Sequence, residues 1–159
     1  MTKKIIFFIV LLLFVIIGCL AFVIIEKEKT PETAIFFVYF HNNKLDPEIS
    51  CDKVFPTQRT VLKTQTPAED SVNFLLAGPT ESEKDAGYYS VINPGVVLNG
   101  ISIVNGTAKV DFNQELEVFG GSCLVLAVRS EIIQTLKQFA TVENVLISIN
   151  GQSEEILQP

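Results

Sequence analysis

The apolar residues of this chain are concentrated first in one uninterrupted N-terminal stretch and then in short alternating segments. The stretch Ile5–Ile25 carries no charged side chain. As a helix rising about 1.5 Å per residue it spans roughly 31 Å, which matches the hydrocarbon core of a bilayer. Because a helix satisfies its own backbone hydrogen bonds, lipid tolerates it. The pattern predicts a membrane anchor at residues 1–25, a polar linker at residues 26–33 and one domain at residues 34–159.

Three interpretations of the apolar stretch stay open. An uncleaved, single-pass signal anchor is favoured, because the stretch is longer than the roughly 7–15 apolar residues of a signal peptide core. Ile16–Cys19 resembles a bacterial lipobox, so a lipoprotein acylated at Cys19 is the alternative, although Leu20–Ile25 stays apolar. A cleaved secretory signal is the third. Lys3 and Lys4 before the stretch favour a cytoplasmic N-terminus and an extracytoplasmic domain in the cell envelope.

The part of the chain that follows the apolar stretch is acidic. It holds all 18 Asp and Glu residues but 10 of the 12 Lys and Arg residues, which gives a formal net charge of −8. Phosphate backbones require clustered cations, so this composition argues against nucleic acid as a partner. It equally argues against electrostatic docking of the domain on anionic lipid.

The domain is expected to begin with two strands and a helix. Ala34–Phe40 and Val54–Leu62 are rich in β-branched and aromatic residues, which favour strands. In the segment Thr66–Glu69, Thr stands at the cap position, Pro at the first helical position and Glu at the third. This spacing predicts a reciprocal capping box at the start of the helix. Gly78–Pro79 predicts its end.

Asn105-Gly106 predicts a β-hairpin, since both residues tolerate the positive φ of a two-residue type I′ turn. The register then pairs Ile103 with Ala108, Ile101 with Val110 and Asn99 with Phe112.

A second helix is predicted after Gly120-Gly121, with Ser122 as its cap. Apolar residues recur in it at helical spacing, at Val125, Val128, Ile132, Leu136 and Phe139. Glu131 is assigned to another face of this helix. Val145–Ile149 is expected to form a strand and Glu154–Leu157 a short final one. Without that short final strand, the order β-β-α-β-β-α-β predicts an α+β fold in which two helices pack on one face of a single mixed β-sheet, behind a transmembrane helix.

Several of these pieces together resemble the GerMN domain family of bacterial sporulation and germination proteins, over roughly Ile35–Ile156. The matching pieces are Phe74–Pro79, Asn105–Phe112, Gly121-Ser122, Thr135–Phe139 and Val145–Gly151. The resemblance implies an extracytoplasmic, membrane-anchored binding or assembly module without catalytic residues. A single copy is found here, whereas the founding protein has two, so the resemblance does not decide between sporulation and general envelope processes.

The polar residues offer little catalytic chemistry. His41 is the only histidine, and it has no Cys or carboxylate at metal-ligand spacing, so we expect no metal and no cofactor. Asp111 is expected to be a solvated carboxylate on the polar face of the hairpin. Cys51 and Cys123 in an oxidising compartment predict one disulfide; two buried, unpaired cysteines are the alternative. A hydrolase that uses either thiol would need a neighbouring base, which the sequence does not offer.

Tyr88, Tyr89 and the loop His41–Ser50 are the expected partner surface, although the tyrosines could instead pack over the edge of the sheet. The sequence therefore predicts a non-enzymatic, membrane-anchored domain that associates with another envelope protein or with itself. The alternative is an envelope lipoprotein that binds a small molecule or a glycan. A cleft lined by the two tyrosines would favour the alternative.

Overall fold

The computed structural model describes residues 2–27, 31–117 and 121–153. The chain divides into two units, Met1–Glu32 and Thr33–Pro159. The first unit contains helix α1, Thr2–Lys27. Its segment Thr2–Leu20 is long and apolar enough to cross a membrane, a property that signal sequences share.

The described residues of the second unit, 33–117 and 121–153, form six strands, three α-helices and one 3₁₀ turn. In chain order these are β1 Thr33–Asn42, β2 Phe55–Leu62, α2 Pro67–Ala77, α3 Glu81–Asp85, β3 Tyr88–Tyr89, β4 Leu98–Val104, β5 Thr107–Phe112, the 3₁₀ turn Gln114–Leu116, α4 Ser122–Lys137 and β6 Asn144–Ile149. The α+β class is confirmed. The short α3 and β3 lie in the stretch for which the sequence predicted no regular element. The predicted final strand Glu154–Leu157 lies outside the described residues.

The strands form two three-stranded sheets, in the orders β2-β1-β3 and β4-β5-β6, and the expectation of a single sheet was wrong in this respect. The second sheet is mixed, because β4 is antiparallel and β6 parallel to β5. The two-residue strand β3 pairs only with His41 and Asn42, and side chains from the end of α4 cover the edge of β1 that β3 leaves unpaired. The side-chain amide of Gln138 both accepts from the Phe37 N–H and donates to the Phe37 carbonyl, and the Thr135 hydroxyl accepts from the Tyr39 N–H. Side chains from the end of α4 thus satisfy the backbone that another strand would need.

The hairpin follows the predicted register with one exception. Asn105 and Gly106 adopt φ values of 49° and 76°, as the type I′ turn requires. The two predicted apolar pairs, Ile103–Ala108 and Ile101–Val110, are present. Phe112 pairs with Leu98 instead of Asn99, because a bulge interrupts the ladder there. The bulge lets the Asn99 side chain donate to the Asp111 carboxylate over 2.9 Å.

The helix boundaries were predicted better than the caps. Helix α2 begins at Pro67 and ends before Gly78, as expected. The Thr66 side chain makes no cap bond, however, and the Thr66 N–H, which the Glu69 carboxylate would have to reach, donates to the Thr64 hydroxyl instead. The capping box lies at α3 instead, where Thr80 and Glu83 bond reciprocally. Helix α4 is capped by Gly121 rather than Ser122, which is its first residue.

The core of the domain lies where α2 and α4 pack against β1 and against the inner face of β5. It is almost entirely aliphatic and aromatic. Its fully buried side chains include Val38, Phe40, Val72, Leu75, Val110, Phe112, Val128, Ile132 and Leu136. The apolar stripe predicted for the second helix is therefore the stripe that α4 buries, with Phe139 partly covered at its end.

Candidate functional site

The predicted disulfide is present and fixes a long loop to the start of α4. Cys51 and Cys123 are bonded, with their Cα atoms 5.0 Å apart. Within the same loop Asp46 is buried and accepts from the Ser50 N–H over 2.7 Å, while the Lys53 ammonium lies 3.4 Å from its other oxygen. The bond from the Ser50 backbone is the main reason that the pKa of Asp46 is lowered. A covalent bond and a buried carboxylate therefore hold the loop.

A cleft of about 400 Å³ lies beside the disulfide. Its lining combines both cysteines with His41 and Tyr89 from the first sheet, Ile49 from the loop, and Leu124 from α4. The rings of His41 and Tyr89 stack, with centroids 5.6 Å apart and an interplanar angle of 28°. Small-molecule and peptide anchor sites have this character: mostly apolar, with a few polar groups at fixed positions.

A buried polar pair connects the cleft to the interior, because His41 lines the cleft and Glu131 lies behind it. His41 is 3% exposed and Glu131 0% exposed. The His41 Nε2 lies 3.4 Å from the carbonyl oxygen of Ala127 and 3.8 Å from the Glu131 Oε1. The Glu131 carboxyl also accepts from the Ser90 hydroxyl over 2.6 Å and from the Val91 N–H over 3.1 Å. Among the described residues no buried side-chain nitrogen or oxygen lacks a hydrogen-bond partner, and this pair is no exception.

Burial dominates the titration of this pair. It raises the pKa of Glu131 to about 7, although the bonds from Ser90 and from the Val91 backbone oppose the shift. Burial also lowers the pKa of His41, against the opposing effect of the Ala127 and Lys53 carbonyls and of the Asp46 and Asp52 charges. Each group is therefore shifted toward its uncharged form, as expected for groups removed from water.

The arrangement differs from that of a nucleophilic triad. In a triad, a histidine lies between the serine and the acid and removes the serine proton. Here the Ser90 hydroxyl donates directly to Glu131, and His41 lies on the other side of the same carboxyl group. The two domain cysteines form a disulfide and therefore offer no thiolate. The contacts are those of a structural link between β3 and α4.

The two tyrosines predicted as a partner surface have different environments. Tyr89 lines the cleft and stacks on His41. Tyr88 is half-buried and packs against the core, as in the alternative of packing at a sheet edge. Burial, together with the negative charges of Asp46 and Glu131, raises the pKa of Tyr89. Tyr89 therefore remains a candidate contact residue, while Tyr88 contributes mainly to packing.

Asp111 is more than a solvated carboxylate. It accepts from the Ser148 hydroxyl over 2.6 Å, from the Gly151 N–H over 2.7 Å and from the Asn99 amide. These bonds, that from Ser148 foremost, lower the pKa of Asp111. The residue ties the β4 bulge to β6 and to the turn after it, which is a structural role.

No metal centre is apparent in residues 2–27, 31–117 and 121–153, where no group of three or more His, Cys, Asp or Glu side chains could hold an ion. Cys19 is exposed and unpaired in α1, and its lipidation stays a prediction.

Sequence reasoning missed Glu131 by assigning it to a polar face of the helix. A local signal was available. Glu131 follows Val128 by three positions and precedes Thr135 by four, and both of those residues are fully buried. Positions with this spacing share one helix face. A charged residue inside the apolar stripe of an amphipathic helix indicates a buried, partnered carboxyl group.

Comparisons with known proteins agree with the resemblance seen in the sequence. A family model described as "Germane: Sporulation and spore germination" matches residues 37–155. The first GerMN domain of the sporulation protein GerM from Bacillus subtilis is similar in structure, with a TM-score of 0.57 and 21% identity over 76% of this chain and 85% of that chain. The tandem GerMN domains of the same protein give a TM-score of 0.57 and 19% identity, over 77% of this chain and 41% of that chain. The comparison with curated proteins finds no match.

Proposed function

Because the chain belongs to the Germane family of sporulation and spore germination domains, we propose that it is a non-enzymatic, membrane-anchored domain that mediates protein association in the bacterial cell envelope. The N-terminal helix is the anchor, with its N-terminus in the cytoplasm and the domain outside. The partner is another envelope protein or a second copy of this chain.

One observation carries the proposal: an apolar helix of membrane-spanning length directly precedes a compact domain of this family. The predicted linker at residues 26–33 keeps the domain within roughly 30 Å of the bilayer even when fully extended. Such confinement raises the effective concentration of the domain toward other membrane proteins. Weak contacts are then sufficient for association.

The contacts in the domain support association over catalysis. The polar groups with the largest shifts of pKa, Glu83 and Glu131, are both occupied in holding elements together. Glu83 pairs with Arg59 and caps α3, and Glu131 joins β3 to α4. The disulfide removes the thiols of Cys51 and Cys123 from nucleophilic chemistry.

The test uses the full chain in lipid nanodiscs. It is incubated separately with peptidoglycan fragments and with detergent-solubilised envelope proteins. Saturable capture of a protein, weakened by added salt because the domain is acidic, is the expected result. Turnover of a glycan bond that is abolished by replacing any one carboxylate of the domain would contradict the proposal.

A second candidate function is the binding of a small molecule or a glycan. The observation that favours it is the position of Tyr89 in the lining of the cleft, since aromatic rings provide flat surfaces for ligand rings. Saturable binding of a peptidoglycan fragment without turnover, lost in Tyr89→Ala, would make this candidate the better one.

A further inference from the structure

The rim of the cleft presents two exposed aliphatic side chains. Ile49 is 61% exposed and Leu124 is 38% exposed, and both line the cleft. Ile49 also has a φ of 53°, a left-handed conformation that is unfavourable for a β-branched residue. Backbone conformations of this kind persist where the surrounding contacts enforce them, and they concentrate at ligand clamps.

The contacts that enforce this conformation lie in the loop itself. The Ile49 N–H donates to the Asp46 carbonyl over 3.1 Å, and the Ser50 N–H donates to the Asp46 carboxylate over 2.7 Å. Cys51, which directly follows Ser50, is joined to the first turn of α4 by the disulfide with Cys123. Ile49 is therefore held in place on the rim before any partner arrives, which reduces the entropy that binding must remove.

The charge of the rim selects the partner. Glu48 and Asp52 are exposed and flank the segment that carries Ile49 and Cys51. The dipole of α4 places about half a positive charge at the start of the helix, at Ser122, which offsets only part of this negative charge. Lys53 is near, but its ammonium lies against Asp46. The balance is negative, so a cationic segment is favoured over an anionic one.

We propose that this cleft docks a short segment of a partner envelope protein, in which an apolar side chain enters between Ile49, Leu124 and Tyr89 and an adjacent Lys or Arg faces Glu48 and Asp52. The inference rests on the proposed association function and names its surface. An apolar anchor in a preformed pocket, surrounded by charges that set orientation, is the usual anatomy of a binding hot spot.

The test measures fluorescence anisotropy with three labelled peptides of equal length and the full chain in nanodiscs. One peptide places Leu between lysines, the second places Leu between glutamates, and the third replaces Leu by Gly between lysines. The first peptide is expected to bind at least about tenfold more tightly than the other two, since one anchor side chain is worth more than about 1.4 kcal/mol. Leu124→Gln and Asp52→Lys should each weaken it severalfold, and Val104→Gln, at an exposed site on the hairpin, should not.

Equal binding of the three peptides, or an equal effect of Val104→Gln and Leu124→Gln, overturns the assignment. Displacement of the first peptide by a peptidoglycan disaccharide overturns it in favour of a glycan.

Photo-cross-linking in living cells separates this inference from the proposed function. A photoreactive residue is placed at Leu124 in one full-length variant and at Val104 in another. Protein adducts from position 104 alone leave the association function standing and overturn the surface. Absence of adducts from both positions, and from Ile35 on the first sheet, overturns the association function as well.

Discussion

The buried carboxyl group of Glu131 makes the stability of the domain depend on pH in an unusual direction. Its pKa is raised from 4.5 to about 7 in the folded chain, chiefly by burial. Between pH 4.5 and about pH 7, the Glu131 carboxyl group therefore keeps its proton in the folded protein and has lost it in the unfolded chain. This contribution to stability is fully present below pH 4.5 and is lost as the pH rises through 7. The shift corresponds to about 3 kcal/mol, most of it lost between pH 5 and pH 8.

Glu131→Gln isolates this effect, because the amide is nearly isosteric with the neutral acid. Its oxygen accepts from the Val91 N–H as before, and its NH₂ group donates to the Ser90 oxygen. His41 works in the opposite direction. Its lowered pKa contributes stability that is lost as the pH falls below 6.5, so the wild-type profile alone mixes both groups. The difference between variant and wild type removes the part of the His41 contribution that does not depend on the nearby Glu131 carboxyl group.

The assay is urea unfolding of the full chain in detergent, followed by near-ultraviolet circular dichroism at pH 5 and pH 8. We expect Glu131→Gln to gain stability relative to wild type on going from pH 5 to pH 8, by about 2–3 kcal/mol. Glu115→Gln, at an exposed carboxylate, should show no such change. Parallel profiles for Glu131→Gln and wild type would refute the reasoning, because Glu131 would then titrate alike in both states.

Three further results are expected. Replacing Cys51 and Cys123 together by alanine should cost about 4 kcal/mol, given the 72-residue separation of the bridge, and a loss below about 1 kcal/mol in reversible unfolding would contradict the chain-entropy argument. Burial alone would raise the pKa of Glu83, but bonds from Arg59 and Thr80 outweigh it and lower that pKa to about 2. Glu83→Gln should therefore lower the free energy of unfolding by about 3 kcal/mol at pH 7, and the two proteins should become equally stable as the pH falls through 2. A difference in stability that persists at acid pH would refute this. Intact mass of the membrane-extracted protein should include residues 1–25, and a mature chain that starts at Cys19 with an added lipid would establish the lipoprotein interpretation instead.

The features that could be predicted from the sequence are those that neighbouring residues determine. Pro67 and Gly78 bound α2 because each restricts or permits φ at one position, whatever the rest of the chain does. Asn105-Gly106 likewise fixes the turn and the register of the hairpin beside it. The periodic apolar stripe of α4 was predictable for the same reason, since the period of a helix is set locally.

The features that were missed depend on which of several competing partners a polar group bonds, and in two cases that partner lies far away in the chain. The backbone of Phe37 at the edge of β1 bonds to the side chain of Gln138, which lies 101 positions later in the chain. No local sequence pattern predicts that contact. Glu131 is buried because Ser90 and Val91, about 40 positions earlier, supply its hydrogen bonds. A capping box was expected at Thr66 because its sequence fits, yet Thr64 had already satisfied the backbone group concerned. In each of these cases, competition between hydrogen-bond partners determined the structure, and local sequence propensity did not.

The missed carboxyl group also bears on how the cleft is built. Glu131 receives two hydrogen bonds from the segment that directly follows Tyr89, and so holds the end of β3 against α4. The disulfide fixes the opposite wall, which carries Ile49, to the first turn of the same helix. Both walls are therefore attached to α4, one through a covalent bond and the other through the hydrogen bonds of a buried carboxyl group. Loosening either link should widen the cleft without emptying the core, since neither belongs to the apolar cluster around Val128 and Leu136. A domain that only needed stability would gain more from an aliphatic residue at position 131. A polar link that sets the position of Tyr89 supports the docking role proposed for the cleft, because a binding site needs its contact residues held in place.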